Sequence, residues 1–323
     1  MYADTVIEDK LVHNPKFLLI LGSCIFALFF AFNLTDTVIG EFLRPAIGDP
    51  KTSGYFGRFA TALAVTFLLI LNMIALSLMK LKLQIAIVWL ELFLLFLAFF
   101  YLFDLSLSFM KTKIWFMISQ GLFTTLYISA ISIIIACLIA IVGAVAKLSS
   151  NGFAFAIASF YTSLFRGLPL LLQVYLIYMG MPQLGYVIEA VPAGIIALSL
   201  CYGAYMTEIF RAGIQSIPQG QWEASRALGF KFTLVMRRII LPQAVPIIIP
   251  PTGNNFISML KDSSLVSVVG VWELMFLART LGQRDFRNLE MLITAAMIYW
   301  AITVVLEIIQ ARIERHYRKQ VQR

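Results

Sequence analysis

The chain has 323 residues, of which 60% are hydrophobic and 13% charged, and its formal net charge is +8 at pH 7. Soluble domains carry about 25% charged residues, so this composition excludes an ordinary soluble protein and predicts an all-α, polytopic membrane protein. The basic residues cluster beside the ends of apolar segments. This placement favours contact with anionic lipid headgroups and argues against nucleic-acid binding.

Charged residues interrupt the sequence at nearly the interval of a membrane-spanning helix, which needs about 20 apolar residues. The sequence predicts eight spans, in chain order Phe17–Thr35, Phe59–Met79, Leu83–Phe103, a segment within Ile114–Ala146, Phe153–Met179, Val191–Ile209, Ile239–Leu260 and Met291–Gln310. An even number of spans places both termini on one side. If the polar loop near residues 210–238 is cytoplasmic, the cytoplasmic segments hold fifteen Lys and Arg and the opposite side nine. The excess of Lys and Arg on cytoplasmic loops therefore predicts cytoplasmic termini.

The sequence changes character near residue 112. Residues 1–111 hold three plain apolar spans without a motif, and we expect an accessory bundle there, with Asn72 and Glu91 as its strongly polar interior residues. A carboxyl inside a membrane suggests a function, but it can also be neutral or pair with a neighbouring helix, and we favour this structural interpretation. Residues 112–323 contain every recognisable motif and form the second predicted domain.

Arg166 is the basic residue that falls inside a predicted span of the second domain. It lies between Phe165 and Gly167, with Pro169 just beyond. Glycine and proline at this point predict a helix irregularity, and they release backbone groups that must bond to protein or to water in a cavity. We therefore predict that Arg166 lies on a substrate pathway.

A second group of polar residues follows a spacing of three along one predicted helix. Tyr202, Tyr205, Glu208 and Arg211 share one helix face because of this spacing. One interpretation is an amino-acid-binding face, since a zwitterion needs an anionic and a cationic contact. The other is an ion pair at the cytoplasmic end of the helix, and the sequence leaves both open.

The predicted span Ile239–Leu260 contains four prolines, at positions 242, 246, 250 and 251. An interior proline costs a helix about 3 kcal/mol or more, so we expect this span to be kinked or broken. Broken helices expose backbone to substrate in transporters. Asn254, Asn255 and Ser258 follow on the same segment, and we expect the substrate path between this segment and Arg166.

The polar loop at about residues 215–238 predicts two short helices joined at Gly229, where glycine supplies a left-handed stop. Ser216 and Gln219 match a helix-capping pattern, with Pro218 early in the first helix. The alternative is an amphipathic helix that lies on the membrane and is anchored by aromatic side chains.

Five sequence blocks occur in a specific order and cover about half of the chain. They are Gly121–Leu126 with Ile128-Ser129, Phe165–Gln173, Tyr205–Ile214, the loop with Glu223-Ala224-Ser225, Gly229, Ile239 and Leu241-Pro242, and Asn254–Leu265. Together they resemble the transmembrane permease subunits of ABC importers, in the subfamily that takes up polar amino acids such as histidine, glutamine, glutamate and arginine. The resemblance implies a five-helix permease core, preceded here by three extra helices, in a bacterial inner membrane.

The same resemblance assigns expected sites and partners. It implies a coupling loop that contacts a separate ATPase through Gly220, Glu223, Ala224, Ser225 and Gly229, where Ser225 replaces the usual alanine. The expected partners are two ATPase subunits that bind ATP and Mg²⁺, a second permease subunit, identical or homologous, and an extracytoplasmic amino-acid-binding protein. No cofactor is expected in this chain. The expected substrate pathway comprises Arg166, Tyr205, Glu208, Asn254, Asn255 and Ser258.

Other classes of protein find little support in the sequence. No Gly-x-x-x-x-Gly-Lys-Ser/Thr motif is present, so we expect no nucleotide hydrolysis by this chain. An intramembrane enzyme needs a catalytic pair or metal ligands within its spans, whereas His13 and His316 lie outside them and the cysteines lack metal-like spacing. An ion-driven secondary transporter or channel, the alternative function, would need paired acidic residues, for which only Glu91 and Glu208 are candidates.

Overall fold

The computed structural model describes residues 14–37, 54–101 and 105–321, and these residues form helices and loops without a strand. The chain divides into two compact units, Met1–Asp104 and Leu105–Arg323. The first unit contains α1 (Pro15–Phe32), α2 (Gly54–Ser77) and α3 (Leu81–Tyr101). The second contains α4 (Leu107–Phe116), α5 (Phe123–Leu148), α6 (Gly152–Gly167), α7 (Leu170–Tyr175), α8 (Ala190–Gln215), α9 (Gln219–Ala227), α10 (Phe232–Val235), α11 (Leu241–Asp262), α12 (Leu274–Arg284) and α13 (Asn288–Val321).

Polar contacts tie the helices of the first unit together. Arg58 on α2 donates to the carbonyl oxygens of Phe30 and Ala31 in the last turn of α1, where carbonyls lack partners within the helix. Asn72 on α2 donates through Nδ2 to Glu91 Oε2 on α3, at 3.2 Å. Glu91 therefore bonds to a neighbouring helix, which is one of the two structural arrangements that the sequence leaves open.

The second unit is built around α5 and α8. These helices approach so closely that a Cβ added to Gly143 would lie 2.4 Å from Thr207 Oγ1. Small side chains at the contact permit this approach, as is usual between membrane helices. The core around the two helices includes the buried residues Ile128, Ala136, Ala140, Val174, Ala197, Leu198, Met206 and Met259.

Seven helices in the described ranges are long and apolar enough to span a membrane, and a bent pair would make eight. The bent pair joins Gly152–Gly167 to Leu170–Leu184 at an angle of 106°. The all-α, polytopic fold with about eight transmembrane helices is confirmed. The fourth span is longer than predicted, because Leu107–Leu148 is one run that includes a π-helical segment at Met117–Leu122. Residues 102 and 103, at the predicted end of the third span, lie outside the described residues.

The sequence predicts that the proline-rich span is kinked or broken, and the structure contradicts the break. Helix α11 continues unbroken from Leu241 to Asp262 through Pro246, Pro250 and Pro251. The fixed φ of proline fits a helix, and in membrane proteins neighbouring helices and side chains can compensate for the lost hydrogen bonds. Here α11 packs against α8 and α13. The broken span is the fifth one, Phe153–Met179, at the point where the glycine and proline beside Arg166 predict a helix irregularity.

The predicted start of the polar loop is also wrong in detail. Helix α9 begins at Gln219, and its N-cap is Pro218, which makes no side-chain capping bond. Ser216 lies at the end of α8, and its hydroxyl donates back to the Gly213 carbonyl instead of capping α9. The second short helix, α10, is not separate. It runs through a π-helical segment, Met236–Ile240, into α11.

Candidate functional site

The bend after α6 shapes the candidate site. Leu168 precedes a proline and is extended, with φ −92° and ψ 137°, as steric contact with the proline ring favours. Gln173 on α7 donates through Nε2 to the carbonyl oxygens of Phe165 and Leu168, both at 2.9 Å. A buried side chain thus satisfies backbone groups that the bend exposes, which stabilises the irregular backbone inside the apolar unit.

A cavity of about 450 Å³ lies beside this bend. Its walls come from the bend, from α8 and from α11, through Arg166, Gly167, Leu168, Pro169, Leu170, Cys201, Tyr202, Tyr205, Asn255, Ser258 and Asp262. Four of the six residues predicted for the substrate pathway therefore line one cavity: Arg166, Tyr205, Asn255 and Ser258. The cavity lies between Arg166 and the proline-rich segment, where the sequence places the substrate path.

The remaining two predicted pathway residues do not line the cavity. Glu208 lies behind Arg166, with 3.8 Å between Oε1 and Arg166 Nη1. Asn254 is turned towards α13, where its Oδ1 accepts a hydrogen bond from Gln310 Nε2 at 2.8 Å. Glu208 can thus act on the cavity through Arg166, whereas Asn254 joins two helices.

The cavity presents charges of both signs. The Arg166 guanidinium lies 5.4 Å from the centre of the Tyr205 ring, in a cation–π contact, and its side chain is 44% exposed. Tyr202 donates its hydroxyl to Asp262 Oδ2 at 2.6 Å. The guanidinium can bind a carboxylate, and the carboxylate of Asp262 can bind an ammonium group.

Glu208 is the centre of a cluster of cations. Its carboxylate accepts from Arg211, one turn away, at 2.9 Å, and also from Lys147 on α5. Lys147 donates in addition to Thr162 on α6, at 3.0 Å. The spacing of three predicted the Arg211 pair. Lys147 was missed as a partner because it lies 61 residues away in sequence. Three cations around one carboxylate leave this end of the cavity positively charged.

Helix α9 forms the projecting part of the polar loop. Its end is a Schellman motif, in which Phe230 N donates to Ser225 O and Gly229 N donates to Arg226 O. Gly229 has φ +70°, which confirms the left-handed stop predicted from the sequence. The motif fixes the direction in which the chain leaves the helix.

The faces of α9 differ in exposure. Gly220, Glu223, Ala224 and Gly229 are exposed, whereas Ser225 is only 2% exposed and donates its hydroxyl to Gln221 O. The expectation that Ser225 forms part of the contact surface is therefore not met, since its side chain packs towards the protein. The other half of the helix is anchored, because Trp222 packs on a buried cluster that comprises Ile214, Ile217, Val235, Ile240, Ala244 and Ile248.

The described residues form a bundle of membrane-length helices with a polar cavity and a short helix, α9, that exposes one face, which is the arrangement expected of a membrane permease. Residues 138–319 match the family described as "Binding-protein-dependent transport system inner membrane component". The chain belongs to this family, whose members are transport components rather than enzymes.

Relatives and a solved structure agree with this assignment. The chain is 37% identical over 212 residues to the L-cystine transport system permease protein TcyB of Bacillus subtilis, covering 65% of this chain and 91% of the relative. It is 41% identical over 199 residues to the arginine transport system permease protein ArtQ of the same organism, covering 61% and 91%. A crystal structure of an amino acid ABC transporter with histidines matches with a TM-score of 0.62 and 37% identity, covering 66% of this chain and 99% of that one.

Proposed function

We propose that this chain is the transmembrane permease subunit of an ATP-driven importer for polar amino acids in a bacterial inner membrane. The observation that carries the proposal is the combination, in one compact unit, of a cavity with charges of both signs and a projecting helix anchored on one face. Named relatives that carry cystine or arginine support the class of substrate. The permease works by alternating access, and closure of the ATPases moves the projecting helix and opens the pathway outward.

The chemistry of the cavity supports an amino acid as the substrate. Arg166 offers a planar cation to the carboxylate, and Asp262 offers an anion to the ammonium group. Asn255 and Ser258 supply neutral polar groups on the same wall. Lys147 and Arg211 neutralise Glu208, so Glu208 compensates the charge of Arg166 only in part. Arg166 can therefore attract the carboxylate of the ligand. A free amino acid presents both charges, which matches this arrangement better than a simple anion or cation would.

The exposed face of α9 is the proposed contact with the ATPase. Gly220 and Ala224 have small or absent side chains, so a partner can approach the backbone closely, and Glu223 offers a charge to a basic group or a backbone donor. Two ATPase subunits that bind ATP and Mg²⁺ would each bind one such helix. A second permease, identical or homologous, would complete the pathway.

The contact of α9 with the ATPase also sets the orientation of the chain. With α9 in the cytoplasm, both termini are cytoplasmic, and the segment between α11 and α13 faces outward, where an extracytoplasmic amino-acid-binding protein delivers the substrate. We also propose that the helices of Met1–Asp104 form an accessory unit of the transporter.

Reconstitution of the chain with a candidate ATPase and binding protein tests this proposal. We expect amino-acid-stimulated ATP hydrolysis in liposomes, and we expect Glu223→Lys to abolish the stimulation and weaken assembly with the ATPase. Glu189→Lys is a matched control, because Glu189 is also exposed but lies at the opposite end of α8 from α9. If Glu223→Lys assembled and turned over like the native chain, the coupling assignment would be wrong.

A further inference from the structure

Glu273 is a fully buried acidic residue that the pathway and the coupling helix do not use. Its side chain has 0% exposure, although it lies in the loop between the candidate spans Phe232–Val269 and Asn288–Tyr317. Burial of a carboxyl without a counter-ion is costly, so its contacts require an explanation.

The carboxylate of Glu273 joins two helices. It caps α12, since Oε2 accepts from Met275 N at 2.9 Å and Oε1 accepts from Phe276 N at 2.7 Å. Oε2 also accepts the hydroxyl hydrogen bond of Tyr299 on α13, at 2.7 Å. The N-terminus of α12 is therefore tied to the last membrane helix through one side chain.

A third helix meets the same point. Leu274 N donates to Thr125 Oγ1 on α5, at 3.3 Å. The backbone here is tightly packed, because a Cβ on Gly121 would lie 2.9 Å from Leu274 Cα. The segment just before Glu273, Ser263–Val269, continues directly from Asp262 of the cavity wall. Movement of α12 away from α5 and α13 would therefore displace the segment that is joined to Asp262 in the cavity wall.

The charged residues around α12 are engaged elsewhere or exposed. Lys113 pairs with Asp285 at 3.3 Å, and Arg287 pairs with Glu290 at 2.9 Å. Asp262 bonds to Tyr202. Lys261, Arg279 and Arg284 are exposed. Among the described residues, Tyr299 is the titratable side chain that contacts Glu273, and no cation pairs with it.

We propose that Glu273 is a positioning residue for the outer end of the permease: it holds α12 to α13 in the packed state, beside the contact of Leu274 with α5, and the step that opens this end hydrates its carboxyl. The inference rests on the proposed function, which places this end outside the cell. Opening breaks the hydrogen bond with Tyr299 and replaces the capping bonds of α12 with water.

The proposal predicts that transport increases as the external pH rises. Burial raises the pKa of the Glu273 carboxyl to about 7, although the two backbone N–H groups and Tyr299 stabilise its ionised form. A hydrated Glu has a pKa of about 4.3. The packed state therefore holds the proton more tightly, opening releases it, and rising pH favours opening. The equilibrium constant for opening increases by up to about tenfold per pH unit between the two pKa values, and it levels off above about pH 7.

The experiment measures amino-acid uptake by the complete transporter in proteoliposomes, with internal pH fixed and external pH varied. In the native chain we expect uptake to rise with pH and to level off near neutrality. Glu273→Gln should lose this dependence. Glu189→Gln is the matched control, because Glu189 also occupies a helix N-cap but makes no side-chain capping bond, and it should keep the native profile.

Tyr299→Phe is a second variant that keeps the carboxyl. The hydroxyl stabilises the ionised form, so its removal should move the midpoint of the profile to higher pH. A native profile that is flat, or a Glu273→Gln profile that keeps the native rise, overturns the inference. If Glu273→Gln fails to assemble, an unshifted midpoint in Tyr299→Phe overturns it. Absence of uptake in the native complex at every pH would instead count against the proposed function.

Discussion

The hydroxyl of Tyr202 donates to the Asp262 carboxylate at 2.6 Å, and this bond joins α8 to α11 across the wall of the cavity. The two residues are 60 positions apart. The bond fixes the direction of the carboxylate, which is the negative group of the proposed amino-acid site. Helix α8 also carries Glu208, which contacts Arg166. One helix thereby orients both charged groups of the cavity.

We expect Tyr202→Phe to weaken substrate binding without preventing assembly. A hydrogen bond to a charged group contributes about 1.5–3 kcal/mol, and loss of about 1.4 kcal/mol of binding free energy raises the half-saturating concentration about tenfold. Concentration-dependent uptake of a labelled amino acid measures this change. Tyr186→Phe is the control, since Tyr186 is 66% exposed and outside the cavity. An unchanged half-saturating concentration would show that the bond from Tyr202 to Asp262 does not contribute to substrate binding.

Arg166→Gln should abolish discrimination between an amino acid and its carboxamide analogue. Arg166 supplies the cation for the substrate carboxylate in our proposal, so the native cavity should bind the acid at least about tenfold more tightly. Arg166→Lys should retain part of the preference, since lysine keeps the charge but loses the planar contact with Tyr205. Competition uptake assays with the two ligands measure the ratio.

Arg279→Gln is the control for Arg166, because Arg279 is exposed and does not line the cavity. It should keep the native preference for the acid. Equal discrimination by native protein and Arg166→Gln would show that the carboxylate binds elsewhere.

Features encoded in neighbouring residues could be predicted from the sequence. Gly229 follows a run of good helix formers, and the left-handed stop occurs there because glycine lacks the Cβ that opposes this conformation. The Glu208–Arg211 pair follows from their spacing of three. Arg166 was assigned to a pathway from its glycine and proline neighbours, and the cavity lies at that position.

Features that depend on tertiary contacts were mistaken or missed. Proline was expected to kink or break α11, but this helix is continuous and packs against α8 and α13. The bend at Leu168 and Pro169 lies where the sequence predicts an irregularity, but the bonds by which Gln173 compensates the backbone there were missed. Glu273 gave no signal, because its burial depends on α13, whose Tyr299 lies 26 residues away. Local patterns indicate where a helix can end but not which contacts offset a lost hydrogen bond.

We expect Lys147→Met to destabilise the protein by about 2 kcal/mol, because it leaves a mostly buried Glu208 short of one cation. The side chains of Lys147 and Glu208 are only 12% and 19% exposed. The double variant Lys147→Met with Glu208→Gln should recover part of the loss. Thermal unfolding in detergent measures the three proteins, with Lys80→Met, an exposed lysine of the first unit, as the control. Equal unfolding temperatures for the native protein and Lys147→Met would show that the Lys147–Glu208 ion pair does not stabilise the fold.

Gly229→Ala should reduce substrate-stimulated ATP hydrolysis while leaving the cavity intact. A φ of +70° costs a residue with a Cβ about 1–2 kcal/mol, so alanine strains the Schellman motif and changes the direction in which the chain leaves α9. Gly229→Asn should be milder, since asparagine tolerates this conformation. Gly180→Ala is a matched control, because Gly180 has φ −83° and open space around its Cβ position. Stimulation by Gly229→Ala equal to that of Gly180→Ala would mean that the geometry of this turn does not transmit the motion of the ATPase.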